Sequence, residues 1–343
     1  MIKLSFQPKE VTKKLISGLS QRSKDVLLKR YGLSKNTDRL TLESIGKEYN
    51  ITRERVRQIE EHSLSSIRKS DAYNETIPVF EELKGVIDDL GGVVSEEDLL
   101  NHLSLNETIR NHIHFLLVIG DHFVKLKEDD HFNHRWSVNT NLASSIEESI
   151  KKIYSNLKDD DIIPESELIK SFLNHVQEIS EKYKREEVVK RWLRISKKIA
   201  QNPLGEWGKI ESPNINVKGI RDYAFLVIRK HGSPIHFKEL ADQISKVFNR
   251  KAHVATCHNE LIKDERFVLV GRGLYALTEW GYSPGVVRDV IKNILQKHGP
   301  LTKEEIIEKV LKERYVKDNT VLVNLQNQSH FKKDKSGKYT LVV

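Results

Sequence analysis

The sequence has a single cysteine, Cys257, among 343 residues. One thiol excludes an internal disulfide framework and is typical of a chain that works in a reducing compartment. Apolar runs are short, and none approaches the roughly 20 residues that a membrane-spanning helix needs. The start, MIKLSFQPKEVTKK, turns polar early, which argues against a secretory signal peptide. We therefore expect a cytoplasmic protein that does not enter membranes.

Sequence patterns of catalysis are also missing. There is no Gly-rich phosphate loop, no nucleophile elbow and no pair of catalytic carboxylates in context. The histidines between His102 and His134 have no cysteine near them to complete a zinc site, and Asp159–Asp161 lacks the spacing of a calcium loop. His253 and Cys257 have metal-ligand spacing on one helix, but a buried cysteine in a helical core is the favoured interpretation. We predict no enzyme activity, no metal site and no cofactor.

Charge is distributed unevenly along the chain, whose formal net charge is +8. Residues 1–74 hold 16 Lys and Arg against 9 Asp and Glu, whereas residues 75–140 hold 5 against 13. Residues 217–283 and 284–343 again carry a basic excess. Basic segments suit phosphates, and an acidic one is repelled by them. We expect residues 75–140 to space domains or to meet a protein.

The most informative stretch is TLESIGKEYNITRERVRQIEEHSLSSIRK, residues 41–69, which predicts two helices joined by a tight turn. Leu42, Ile45 and Tyr49 recur at helical spacing and form one apolar face. Thr41 and Thr52 stand where a hydroxyl caps the start of a helix.

The turn and the second helix carry further signals. Asn50 tolerates a left-handed turn position, and Gly46 is expected where two helices approach closely. Val56, Ile59 and Ile67 point back to the core. The side chains left on or near the outward face are Arg53, Glu54, Arg57 and Gln58, and Arg55 lies with them near the start of the helix. Arg, Gln and carboxylate groups suit the major-groove edges of guanine, adenine and cytosine, so a DNA-reading helix-turn-helix is favoured over a solvated surface helix.

This stretch, with LISGLSQRSKDVLLKRYGLSKNTDRLTLESIG before it, closely resembles region 4 of bacterial sigma-70 family sigma factors over residues 12–70. The motif TRERVRQIE is the specific part of the match. The resemblance implies that the second helix reads the promoter −35 element, with base contacts from Arg53, Glu54 and Gln58. Arg57 would lie nearer the DNA backbone.

The resemblance also implies docking on the flap of RNA polymerase, through the helices around Leu15–Tyr31. The upstream regions that grip polymerase and the aromatic-rich helix that melts the −10 element are not recognised in the sequence. We therefore do not expect a conventional sigma factor.

After this N-terminal segment, here called the head, the chain repeats a unit of roughly 60–75 residues. Each repeat runs from an apolar-periodic helix through a turn and two further helical patterns to a pair of short strands, the order of a winged helix. We predict a mainly α fold of tandem helix-turn-helix and winged-helix domains with short β-hairpin wings. The predicted domains are the head at 1–70 and four winged-helix units at 75–140, 143–212, 217–282 and 285–343. The predicted linkers are 70–76, 139–143, 212–217 and 281–285.

The third unit carries a second resemblance. GSPIHFKELADQI, followed by NELIKDERFVLVGRGLYALTEWGY, resembles HARE-HTH winged-helix domains over residues 217–282. That resemblance implies association with nucleic acid or with a transcription complex. In this unit Gly271 and Gly273 form a flexible hairpin tip that exposes Arg272 to DNA.

The other wings differ in charge. Lys332, Lys333, Lys335 and Lys338 surround Ser336-Gly337 in the last unit. These lysines suit phosphate contact, and protection of an edge strand against aggregation explains them equally well. Glu128, Asp129 and Asp130 at the tip of the 75–140 unit argue against DNA contact there.

Three functional hypotheses follow from these patterns. The leading one is a nucleoid-associated, sequence-specific transcription factor that reads a −35-like element in double-stranded DNA and contacts core RNA polymerase. The DNA-binding candidates are Thr41, Thr52, Arg53, Glu54, Arg55, Arg57, Gln58, Arg272, Lys332, Lys333 and Lys335. The alternative is a polymerase-binding protein that competes with or modulates a sigma factor without reading DNA. An accessory module of a restriction nuclease rests on the HARE-HTH resemblance alone.

Overall fold

The computed structural model describes residues 4–34, 37–176, 180–282 and 285–342. It is mainly helical, and its strands form small antiparallel sheets and hairpins, so the predicted fold class is confirmed. The chain forms two compact units. The first comprises residues 1–200 and 206–211, and the second comprises residues 201–205 and 212–343.

The head is a compact group of helices. They are α1 (Pro8–Ile16), α2 (Gln21–Tyr31), α3 (Leu42–Tyr49) and α4 (Arg53–Arg68). Val26, Ile45 and Val56 are fully buried and join α2, α3 and α4 in a small core of their own. The segment predicted as a linker after the head is partly helical, with α5 (Asp71–Asn74), because the Ser70 hydroxyl caps it.

Residues 75–140, here called the first module, have the order of a winged helix. The elements are α6 (Ile77–Asp89), β1 (Val93–Ser95), α7 (Glu96–Leu103), α8 (Glu107–Ile119), β2 (Val124–Leu126) and β3 (Arg135–Ser137). β3 is the central strand of the sheet, with Trp136 opposite both Val94 of β1 and Lys125 of β2. The wing is the loop 127–134 between β2 and β3.

Residues 143–212, the second module, repeat this order with a smaller sheet. The elements are α9 (Thr140–Asn156), α10 (Glu165–His175), a 3-10 turn (Glu181–Tyr183), α11 (Glu186–Arg194), β4 (Ile199–Gln201) and β5 (Trp207–Lys209). Ile163 takes the place of the first strand, exchanging two 2.8 Å backbone hydrogen bonds with Trp207. α9 begins inside the linker predicted at 139–143, because the Asn139 side chain caps it.

The head and the first module share one hydrophobic core. Leu15, Leu27 and Ile67 of the head belong to the same buried cluster as Phe115 and Trp136. A second cluster connects the first and second modules through Val93, Phe132, Trp192 and Trp207. We expected the acidic segment 75–140 to space domains or to contact a protein. It packs on the head instead, because α8 is apolar enough to be buried along most of its length.

The second compact unit holds two more copies of the order. The third module (217–282) contains α12 (Ile220–His231), β6 (Ile235–His236), α13 (Phe237–Phe248), α14 (Val254–Lys263), β7 (Phe267–Gly271), β8 (Leu274–Leu277) and a 3-10 turn (Thr278–Trp280). The fourth module (285–343) contains α15 (Val287–His298), α16 (Lys303–Glu313), α17 (Asp318–Leu325), β9 (Phe331–Lys333) and β10 (Tyr339–Leu341). Residues 283–284 of the linker predicted at 281–285 lie outside the described residues.

Candidate nucleic-acid interface

The two helices of the head start and stop where local chemistry directs them. The Thr41 hydroxyl accepts a hydrogen bond from the Ser44 N–H at 3.1 Å, and the Thr52 hydroxyl accepts one from the Arg55 N–H at 3.2 Å. Asn50 ends α3 with φ 53° and ψ 45°, a left-handed conformation in which Asn is tolerated. The predicted caps and turn are confirmed.

Gly46 has a different neighbour from the one expected. A Cβ at Gly46 would lie 2.7 Å from the Ile51 carbonyl oxygen, which belongs to the turn itself. The close approach is therefore between α3 and the backbone that leaves it, not between two helices. Glycine lets the turn fold back onto α3, which sets the angle at which α4 begins.

α4 places its apolar side inward and its polar side in solvent. Val56 and Ile67 are buried, and Ile59 is half-buried. Arg55 is exposed, and so are the four side chains predicted on the outward face: Arg53, Glu54, Arg57 and Gln58. The first two turns of α4 thus present three guanidinium groups, one carboxylate and one amide on an open surface.

These outward side chains are bonded to one another. The Arg57 Nε and Nη2 atoms donate to the two Glu54 carboxylate oxygens at 2.9 and 2.7 Å, and Arg57 Nη1 also donates to Glu61. The Arg55 Nη1 atom donates to the Gln58 Oε1 atom at 3.0 Å. Hydrogen bonds from Arg57 lower the pKa of Glu54, so its carboxylate stays charged. Arg53 forms no ion pair with any described residue.

Glu61 is the residue of this face that the sequence reasoning missed. It lies one turn after Arg57, and 62% of its side chain is exposed. The Arg–Glu spacing of four residues, which brings side chains together on a helix, was the signal that could have identified it. With Glu54 and Glu61 on either side, the Arg57 charge is balanced locally.

The helices that the resemblance assigns to polymerase docking are packed against the first module. The Tyr31 and Phe115 rings meet edge to face with centroids 5.2 Å apart. Leu15 and Leu27 are buried in the shared core. At the other end of the head, Arg68 donates to the backbone carbonyls at the end of α8 at 3.0 and 3.1 Å. α8, the third helix of its module, is therefore a support for the head.

A buried polar group fixes the connector between α2 and α3. The Asn111 amide on α8 donates to the Gly32 carbonyl at 3.0 Å and to the Thr37 carbonyl at 2.8 Å. Its Oδ1 atom accepts from the Arg39 Nε atom at 2.7 Å. Asn111 is fully buried, so its amide is satisfied by these three hydrogen bonds instead of by water.

Two histidines are buried beside this contact. His112 is 3% exposed, and neither of its ring nitrogens has a hydrogen-bond partner in the described part of the chain. Burial lowers the pKa of His112, and the charge of Lys9 lowers it further. The His114 Nε2 atom lies 3.5 Å from the Glu96 Oε2 atom, which also forms an ion pair with the Lys125 Nζ atom at 2.7 Å. Burial lowers the pKa of His114 as well, although Glu96 opposes the shift.

The tip of the third module differs from the prediction. A Cβ at Gly271 would lie 2.7 Å from the Tyr315 carbonyl oxygen, and Gly273 has φ +70° with the His236 ring against it. The two glycines are therefore needed for close packing and are not free to act as a flexible tip. Arg272 between them is exposed.

The wings of the fourth and first modules carry the predicted charges on their surfaces. Lys332, Lys333, Lys335 and Lys338 are exposed. In the first module Glu128, Asp129 and Asp130 are likewise exposed. Glu128 pairs with Lys197 at 3.0 Å, and Asp129 accepts from two backbone N–H groups of its own loop. Asp129 therefore stabilises its own loop, and Glu128 pairs with a lysine of the second module.

The remaining candidate groups have structural surroundings. Among the described residues, no group of three or more His, Cys, Asp or Glu side chains is placed to hold a metal ion. Cys257 is buried in the core of the third module, and burial raises the pKa of its thiol to about 11. None of the helices described is both long and apolar enough to cross a bilayer.

The head is a helix-turn-helix of the class that binds DNA. It has a capped first helix, a left-handed asparagine in the turn, and a second helix with an exposed Arg/Glu/Gln face. Residues 15–69 match the family model for sigma-70, region 4. The chain is also similar to the RNA polymerase sigma factor RpoD of Neisseria gonorrhoeae, with 46% identity over 59 residues. The match covers 17% of this chain and 9% of that protein. The head is therefore a sigma-70 region 4 helix-turn-helix, and the HARE-HTH resemblance at 217–282 stays a prediction.

Proposed function

We propose that this protein is a sequence-specific DNA-binding transcription factor related to sigma factors, which reads a −35-like promoter element through α4. The observation that carries the proposal is the exposed face of Arg53, Glu54, Arg57 and Gln58 at the start of a helix whose other side is anchored in the core. A helix presented in this way fits the major groove, where base edges differ in their donors and acceptors.

The side chains divide by chemistry. Arg53, which has no ion pair among the described residues, suits a guanine edge. Gln58 suits adenine, and Glu54 suits the cytosine amino group. Arg55 and Arg57 would contact phosphates.

Thr41 and Thr52 cap the starts of α3 and α4, and the free backbone N–H groups of a helix start can bind an anion such as a phosphate. Their hydroxyls already cap the two helices. Phosphate contacts at these positions would therefore come from the helix starts themselves. The two threonines would set the register of the head on the duplex and leave base reading to α4.

The experiment starts by selecting a preferred duplex from a random pool with the full chain. Arg53→Ala and Gln58→Ala should each weaken binding to that duplex by about 1–3 kcal/mol and relax the preference at one base position. Lys152→Ala is the control, because Lys152 is an exposed lysine of α9 paired with Glu148. If both α4 variants bind the selected duplex like the wild type, the proposal is wrong.

Contact with core RNA polymerase is the second part of the proposal. In the arrangement described, α8 covers the apolar side of α1 and α2, where Leu15 and Tyr31 are 2% and 6% exposed. A polymerase contact at the head would therefore use their solvent side or require release of α8. This burial favours DNA reading over flap docking as the main role of the head. Competition with a primary sigma factor for core polymerase tests the contact, and an absence of competition removes it.

A further inference from the structure

The wings of the four modules differ in charge and in access. The first wing is acidic, and residues 202–206 of the second module contain no Lys or Arg. The third wing offers Arg272 alone, and Gly271 beside it packs on the backbone of Tyr315. The fourth wing, the β9–β10 hairpin at 331–341, carries four exposed lysines: Lys332, Lys333, Lys335 and Lys338. Only the last has the charge that a polyanion needs.

The fourth wing is also held in one shape. The Asp334 carboxylate accepts hydrogen bonds from the Ser336 N–H at 2.8 Å and from the Lys338 N–H at 2.9 Å. The chain then turns through Gly337, whose φ is +88°. The one acidic side chain of the wing is therefore used to close the tip, and the lysines on either side of it are held on a defined hairpin.

Two carboxylates of α16 have partners on or beside that helix. Glu308 pairs with Lys312 at 2.8 Å on α16, and Glu305 caps the same helix through Thr302. The wing lysines form no ion pair with any described residue. Hydrogen bonds from Thr302 lower the pKa of Glu305 at the start of α16, and the charge of Lys338 nevertheless helps to lower it further. The Nζ atom of Lys333 lies 5.9 Å from the centroid of the Tyr339 ring. A concentration of unpaired cations attracts an anionic polymer.

Protection of an edge strand does not account for all four lysines. Lys335 and Lys338 lie outside β9 and β10, in the turn, where there is no ladder to protect. β10 is covered on its second side, because Leu301 and Tyr339 exchange backbone hydrogen bonds at 2.8 and 3.3 Å. Only Lys332 and Lys333 stand on the open strand, β9.

We propose that the wing of the fourth module is a second DNA-binding site, which contacts the phosphates of duplex DNA without reading sequence. The proposal rests on the proposed function, since DNA is the ligand of both sites. Duplex is favoured over single-stranded nucleic acid because single strands are bound by stacking on exposed aromatic rings. Tyr339, the aromatic residue of the hairpin strands apart from buried Phe331, is half-buried beneath Lys333.

The test uses the full chain and a salt series with two duplexes, one of random sequence and the selected one. The variant is Lys332→Gln, Lys333→Gln, Lys335→Gln and Lys338→Gln combined. Each lost phosphate contact should reduce the slope of log K against log salt by about 0.9. Affinity for both duplexes should fall by the same factor, about tenfold or more near 0.1 M salt, and the preference between them should not change.

The matched control removes the same charge from α15 and α16 through Lys292→Gln, Lys303→Gln, Lys309→Gln and Lys312→Gln. An equal loss in the control would show a net-charge effect only, and an unchanged slope in the wing variant would overturn the site. A larger loss on single-stranded RNA than on duplex would overturn the choice of ligand. If the combined variant does not fold, Lys335→Glu alone, in the exposed turn, should lower the affinity for both duplexes and the salt slope by a smaller amount.

The two proposals fail separately. Arg53→Ala with Gln58→Ala should abolish the preference for the selected duplex and leave binding to random duplex largely in place. The wing variant should weaken binding to both duplexes and leave the preference between them unchanged. If the α4 variants change nothing and the wing variant lowers affinity, the wing site stands and the promoter-reading function does not.

Discussion

Glu54 holds the guanidinium of Arg57 through two parallel hydrogen bonds, from Nε to Oε2 at 2.9 Å and from Nη2 to Oε1 at 2.7 Å. The two residues are three apart on α4, so the helix itself sets the pairing. Because Glu61 pairs with the same guanidinium from the next turn, Arg57 is enclosed by carboxylates before any DNA arrives. A phosphate must compete with these carboxylates for Arg57.

Glu61→Gln should therefore strengthen DNA binding. Without the Glu61 carboxylate, Arg57 is more available to a phosphate. A few-fold gain in DNA affinity corresponds to the free energy of an exposed ion pair. The measurement is duplex affinity of the full chain at two salt concentrations. In an Arg57→Ala background the same substitution should have little effect, and an equal gain in both backgrounds would show that Glu61 acts by general repulsion of DNA.

Asn50→Ala should loosen the head, whereas Asn50→Gly should not. Asn50 has φ 53°, a conformation that costs a residue with an ordinary side chain roughly 1–2 kcal/mol. The loss should appear as faster hydrogen exchange at the amides of α3 and α4, with other helices unchanged. Equal exchange in the Ala and Gly variants would mean that the turn does not depend on the left-handed residue.

Asn111→Ala should destabilise the first compact unit by about 1–3 kcal/mol, because the Gly32 and Thr37 carbonyls and the Arg39 guanidinium lose a buried partner. Tryptophan fluorescence reports mainly on this unit, since three of the four tryptophans, Trp136, Trp192 and Trp207, are buried within it.

The control for Asn111 is Asn141→Ala on the exposed side of α9. It should leave the thermal midpoint nearly unchanged. A midpoint shift of the same size in both variants would remove the special role of Asn111.

Mild acid should weaken the contact between the head and the first module. Burial holds the pKa of His112 below its ordinary value of 6.5, so the folded chain binds this proton less readily than the unfolded chain. The associated stability is complete above that ordinary value and is lost as the pH falls toward the lower folded value. The thermal midpoint followed by tryptophan fluorescence should fall between pH 7.5 and pH 5.5.

His112→Leu should make this fall smaller, because leucine takes no proton. His131→Leu, at an exposed position, is the comparison and should leave the pH dependence as it is. Identical pH profiles in all three proteins would assign the acid sensitivity to other groups, such as His114.

The local signals of the head were readable from sequence because they act over three or four residues. Thr41 and Thr52 cap helices through bonds to the backbone three residues on, and Asn50 supplies its own turn conformation. The Arg57–Glu61 pair obeys the same short-range rule. The helices behind the head also follow from periodicity, because apolar residues recur on one face every 3.6 residues. The division of this part of the chain into four winged-helix domains stays a prediction.

Packing between segments could not be predicted in this way. Nothing in the local pattern of Gly271 indicates that Tyr315, 44 residues later, lies against it. The predicted linkers at 70–76 and 139–143 were partly wrong for a related reason. Ser and Asn occur both in loops and as helix caps, and at Ser70 and Asn139 the helices that follow decide between the two.

The sequence by itself determined that α4 would present Arg53, Glu54, Arg57 and Gln58 on one side, because helical periodicity and capping are properties of neighbouring residues. The tertiary structure alone decided that α8 supports the head instead of facing a ligand. It also decided that the lysines of the fourth wing are exposed and form no ion pair with any described residue. Both outcomes depend on contacts between segments far apart in the chain, where burial of apolar surface and pairing of charge are settled only once the segments meet.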